Sequence, residues 1–205
     1  MNRWWPLLWL LVLAGCATAP PGPAPSPAPP PASPSDSWTL AGRIAVHEGD
    51  QGWFAGLRWH QSPRGYRLRL QGPLGQGALE LTGGPGGVTL RTADGRVSHA
   101  ASPQALLKQA TGVSMPVAGL RYWVRGRADP RTPASASRDS AGRLQVLRQD
   151  GWRIRYDAYT RAGGGALPSR LRLDRGNVRV RLVIDHWDPG APAGAGSRAA
   201  PGGAS

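Results

Sequence analysis

The chain has 205 residues, and its 25 Lys and Arg against 12 Asp and Glu give a formal net charge of +13. One cysteine in the whole chain excludes an internal disulfide or a cluster of thiolate metal ligands. About 150 residues between two Pro- and Gly-rich ends make one domain with a real core rather than several.

The basic excess points to anionic partners. Lys108 is the only lysine, however, so a compositional bias toward arginine accounts for the charge equally well.

Residues 1–15 read as an export signal: a basic start at Arg3, an apolar run from Trp4 to Val12, then small residues. About a dozen apolar residues fall short of the roughly 20 that a spanning helix needs, so the segment is expected to be removed. Leu13-Ala14-Gly15-Cys16 looks like the lipobox of bacterial lipoproteins, in which the cysteine thiol receives a diacylglyceryl group before cleavage. That implies acylation at Cys16. Ala17 follows, and by resemblance to enterobacterial sorting, where Asp at this position favours inner-membrane retention, it points to the periplasmic face of the outer membrane. An exported, lipid-anchored chain does not normally meet nucleic acid, which leaves envelope lipid or acidic protein surfaces for the charge.

Residues 16–37 are rich in Pro, Ala and Ser and read as a semi-extended tether. Residues 189–205 have no apolar pattern and read as a disordered tail.

Between them, residues 38–188 show the period-two alternation of half-buried strands. Leu68 and Leu70 oppose Arg67 and Arg69, Trp152 and Ile154 oppose Arg153 and Arg155, and Leu171 and Leu173 oppose Arg170 and Arg172. Val178, Val180, Leu182 and Ile184 share a face opposite Arg179 and Arg181. Asp94-Gly95, Asp150-Gly151 and Gly176-Asn177 mark hairpin turns. Helices are expected over 104–111, after Ser102-Pro103 and before Gly112, and over 117–124 after Pro116. Arg127 to Gly142 reads as a long surface loop. The fold class expected is mainly β with some α: an incomplete antiparallel β-barrel, a curled sheet whose open side is covered by short helices.

Catalytic patterns are missing. His47, His60, His99 and His186 stand singly, Gly112 to Pro116 lacks the closing glycine of a nucleophile elbow, and Gly83 to Gly87 lacks the lysine of a phosphate loop. No enzyme activity, cofactor or metal site is expected. Six tryptophans fall in the domain. Core packing is the ordinary account of them, but Leu57 with Trp59 and Ile154 with Trp152 lie on common strand faces and could line a hollow for an apolar ligand. Leu74, in the turn Gln71 to Gly77, either projects or folds back onto the sheet edge.

Seven blocks in register resemble the LolB family of outer-membrane lipoprotein receptors: Trp38 to Ala45, Gly56 to Trp59, Gly72 to Gly77, Met115 to Val117 with Leu120 to Gly126, Gln149 to Tyr156, Leu167 to Leu171, and Ile184 to Trp187. The resemblance implies an apolar cavity inside the incomplete barrel, and a monomer that accepts lipoproteins from a periplasmic LolA-type carrier and releases them into the outer membrane's inner leaflet. At about 0.8 kcal/mol per methylene, acyl chains cannot cross the periplasm bare. It implies further that Trp59, Trp123, Trp152 and Trp187, with Leu57, Leu120 and Ile154, surround the acyl chains. Pro73, Leu74 and Gly75 would form a loop that enters outer-membrane lipid. The family's helix before the first strand has little room here, because prolines run to Pro34. Two other classes stay open: a scaffold lipoprotein binding a protein partner through its basic sheet face, and a hydrolase with an unrecognised site.

Overall fold

The computed structural model describes residues 37–75 and 77–190; the signal, Cys16, most of the tether and the rest of the tail lie outside them. The alternating segments all become strands: β1 (Trp38–Glu48), β2 (Gln51–Ser62), β3 (Gly65–Gln71), β4 (Leu79–Gly84), β5 (Gly87–Thr92) and β6 (Val97–Ala100) precede two helices. After α1 (Pro103–Thr111) and α2 (Val117–Trp123) come β7 (Ala134–Arg138), β8 (Leu144–Gln149), β9 (Trp152–Ala162), β10 (Gly165–Arg175) and β11 (Val178–Asp188). They form one antiparallel sheet in the order β6-β5-β4-β3-β2-β1-β11-β10-β9-β8-β7. Each half of the chain is thus a run of hairpins, and the first and last strands join the halves. β6 and β7 are left as edges, so the sheet curls without closing into a barrel.

Curling follows from the register. Opposite β1, the pairing slips between Ala41 and Gly42, which face His186 and Ile184. In β10 it slips around Ser169. Such bulges sharpen the local twist and switch which face a side chain occupies. Beyond the slip in β11 the buried position moves from the even-numbered Val180, Leu182 and Ile184 to Trp187. Gly42 is required there because a Cβ would lie 2.1 Å from the Val183 carbonyl oxygen.

Both expected helices form. α1 starts with Pro103 in its first turn and ends at Gly112 (φ 77°), whose N–H donates to the Lys108 carbonyl, the left-handed cap that glycine adopts without penalty. Its Leu106 and Leu107, and Val117, Leu120 and Trp123 of α2, are buried in the same apolar core as the inner sheet face.

The stretch expected as a loop over Arg127 to Gly142 instead contains strand β7, paired with β8. All five of its residues are exposed. An edge strand of Ala and Ser held by backbone hydrogen bonds carries no apolar period to read. No helix among the described residues is long and apolar enough to cross a membrane.

Candidate acyl-chain site and exposed turn

Five of the domain's six tryptophans form two groups. At one end, Trp38 lies 5.3 Å from Trp59 and 5.6 Å from Trp187 between ring centroids, and Trp59 lies 6.2 Å from Tyr66. These offset contacts are favourable aromatic geometry. Trp187 Nε1 donates to the Pro168 carbonyl at 2.8 Å, so the second bulge supplies the acceptor for the ring that the first turned inward. Leu57 is buried on β2, opposite Gly42 and Leu70.

At the other end, Trp123 of α2 lies 6.4 Å from Trp152 of β9. Ile154 follows on the same strand face and Leu120 on the same helix, both buried. A hollow of about 660 Å³ opens here, lined by Pro116, Gly119, Trp123, Trp152 and Val178 together with charged residues of both signs, Glu48, Asp129, Asp150, Arg131 and Arg175. The Trp123 ring lies back along its own helix over Gly119, where a Cβ would come within 2.7 Å of it. The structure therefore does not bring the four expected tryptophans around one space. Trp123 and Trp152 border the hollow, whereas Trp59 and Trp187 pack with Trp38.

Gln149, the last residue of β8, holds this end together. Its side-chain oxygen accepts from Trp123 Nε1 and from the Asp129 backbone N–H, each at 2.8 Å. Its amide donates to the carbonyls of Asp129 at 2.7 Å and Thr132 at 2.8 Å. Every hydrogen-bonding capacity of a buried amide is thus used. The Asp129 carboxylate pairs with Arg131 at 2.5 Å, a bond that holds it below the usual carboxylate range. The Tyr156 hydroxyl donates to the Trp123 carbonyl at 3.1 Å. Burial raises the Tyr156 phenol, and pushes Tyr66 and Tyr159 up to about 12. The indole N–H groups of Trp59 and Trp152 are buried and find no acceptor among the described residues.

The turn between β3 and β4 presents a different feature. Leu74 is 98% exposed, so it projects and does not fold back onto the sheet edge. It also has φ 57° and ψ 21°, a left-handed conformation that costs a non-glycine residue about 1–2 kcal/mol. Gly75 follows at φ 80°, its N–H donating to Gly72 at 3.3 Å.

Sequence reasoning missed Gln149, which reads as one more polar strand residue. It also missed Phe54, 66% exposed on the outer face of β2. The four histidines stay apart: His60 bonds Thr39 and His99 bonds Thr89. No group of three metal-ligating side chains occurs among the described residues.

Similarity to known proteins agrees with this architecture. The family model described as outer membrane lipoprotein LolB matches residues 36–187. The outer-membrane lipoprotein LolB of Nitrosococcus oceani is 40% identical over 192 residues, covering 90% of this chain and 96% of that one. Its counterpart in Chromohalobacter salexigens is 37% identical over 191 residues, covering 90% and 89%. Among solved structures, a LolA superfamily protein from Nitrosomonas europaea superposes with a TM-score of 0.51 at 11% identity, over 76% of this chain and 87% of that one; this likeness is one of fold. With nearly the whole described domain matched, the chain belongs to the LolB family of outer membrane lipoproteins.

Proposed function

We propose that this chain, acylated at Cys16 and held on the periplasmic face of the outer membrane, receives lipoproteins from a LolA-type carrier and releases them into the inner leaflet. The hollow between α2 and β9 is where the acyl chains enter. Its volume of about 660 Å³ lies within the roughly 300–1,000 Å³ of ordinary ligand sites. Several acyl chains need more, and α2 is the element that can yield. Among the described residues its side-chain and cap hydrogen bonds to the sheet run from Trp123, to Gln149 and Tyr156, and Val117, Leu120 and Trp123 pack into the apolar core. Lifting α2 exposes core side chains that acyl chains then cover, so apolar contact is exchanged rather than lost.

The observation that carries the reading is Leu74. A fully exposed leucine held in a costly backbone conformation gains nothing for the fold, and strain retained at one position points to use. Burying that side chain in lipid gains only about 1.5–3 kcal/mol, enough to orient the domain against the leaflet but not to hold it there; anchoring is left to Cys16. Transfer runs downhill in affinity from carrier to receptor to bilayer.

An acyl-chain fluorophore titrated into the chain tests the site. Saturable binding with a change in tryptophan emission is expected, and it should shrink when Trp123 and Trp152 are replaced by polar residues. Binding that is absent, or indifferent to both replacements, would reject the hollow as the acyl site.

A further inference from the structure

The outer face of the sheet carries a second hollow, of about 720 Å³, beside the Pro73–Gly75 turn. Register explains its shape. Phe54 stands opposite Ala45, which faces Arg181; in the next row Gly56 stands opposite Arg43, which faces Val183, which faces Arg170. Small side chains at Ala45 and Gly56 leave a trough between an exposed phenylalanine and Arg181 and Arg170, which lie two and three strands away, about 10 and 14 Å. Arg43 is engaged by Asp185 at 2.9 Å. Arg170 and Arg181 have no carboxylate partner among the described residues.

Two uncompensated guanidinium groups across a trough from an exposed aromatic ring suit an anionic amphiphile, since the guanidinium fork matches phosphate oxygens. Phe54 and Leu74 are two of the three large apolar side chains exposed among the described residues, and Phe54 and the Leu74 turn flank this trough. An acidic protein surface would satisfy the arginines but not that pairing.

We infer that the trough binds an anionic phospholipid of the receiving leaflet, with its phosphate on Arg170 and Arg181 and its glycerol–acyl boundary against Phe54. The inference rests on the reading of Leu74 for which side faces the membrane, and adds the lipid class selected.

Every strand pairing among the described residues lies within residues 38–188, so the chain starting at Ala17, without signal or acyl group, keeps the folded unit. Its sedimentation with phosphatidylcholine vesicles, with and without phosphatidylglycerol, is the test. Phosphatidylglycerol should tighten binding at least tenfold, and salt should weaken that gain. Arg170→Gln with Arg181→Gln should remove it, about fivefold per charge near a membrane surface, while binding to phosphatidylcholine vesicles, whose phosphate is offset by choline, falls far less; Phe54→Ser should weaken both. A gain that survives the double substitution overturns the inference, as does a wild-type chain indifferent to phosphatidylglycerol. So does a double variant that binds vesicles normally yet accepts poorly from the carrier, which would assign the arginines to a protein partner. Leu74→Glu separates the two readings: if it leaves vesicle binding untouched while the phosphatidylglycerol gain persists, the turn is at fault and not the trough.

Discussion

Replacing Gln149 by leucine keeps the volume and deletes a hub. Gln149 is 3% exposed and makes four hydrogen bonds of 2.7 to 2.8 Å. In Gln149→Leu, the Trp123 indole N–H and the Asp129 backbone N–H lose their buried acceptor, and each orphaned donor costs about 1–3 kcal/mol. The carbonyls of Asp129 and Thr132 sit on a loop that can turn toward water, so their share is smaller. The expected loss is about 3–4 kcal/mol. At about 2–4 °C per kcal/mol for a chain of this size, thermal unfolding followed by circular dichroism should fall by on the order of 10 °C. Because the same hub ties α2 to β8, acyl probes should also enter and leave the variant faster. A variant melting within about 2 °C of the parent would refute the claim that this network holds the helix down.

Leu74→Glu should leave the melting temperature unchanged while delivery to liposomes falls sharply, since a carboxylate resists lipid, and Leu74→Phe should deliver normally. Leu74→Gly trades the left-handed cost of about 1–2 kcal/mol against glycine's roughly 0.5–1 kcal/mol of extra chain entropy; its stability should equal or slightly exceed the parent's while delivery drops. Alkaline stability follows the buried phenols: with Tyr66 and Tyr159 raised to about 12, the folded chain keeps protons that the unfolded chain releases near 10. Their contribution is therefore complete below about pH 10 and lost as pH rises to about 12. Urea midpoints should hold to about pH 9 and then decline, and a midpoint flat to pH 12 would contradict this. Mass spectrometry of the exported protein should find an acylated amino terminus at Cys16; an unmodified terminus elsewhere would end the anchoring proposal.

Much of this fold is legible in residue patterns because a half-buried strand writes its inner face as every second residue. Val178 to Ile184 and Leu68 to Leu70 read directly, and Ser102-Pro103 with Gly112 bounds α1. Trp187 was a readable signal of a bulge, since it falls out of phase with Ile184. β7 was not readable, because Ala134 to Arg138 buries no side chain and is a strand only through its neighbour's backbone. The exposed turn at Leu74 followed from the glycines and proline around it. The grouping of tryptophans did not follow, because which rings meet depends on the slips at Gly42 and Ser169, and period-two counting assumes none. Gln149 and Phe54 are polar-in and apolar-out exceptions to the pattern, and such exceptions appear only when the neighbouring strands are in place.

The most direct measurement is transfer itself. A radiolabelled lipoprotein bound to the LolA-type carrier is mixed with the purified chain, and the label is followed first by gel filtration and then after liposomes are added. Label should move onto this chain without nucleotide and from it into liposomes, with Leu74→Glu stalling at the second step. Label that stays on the carrier in the presence of excess wild-type chain would contradict it.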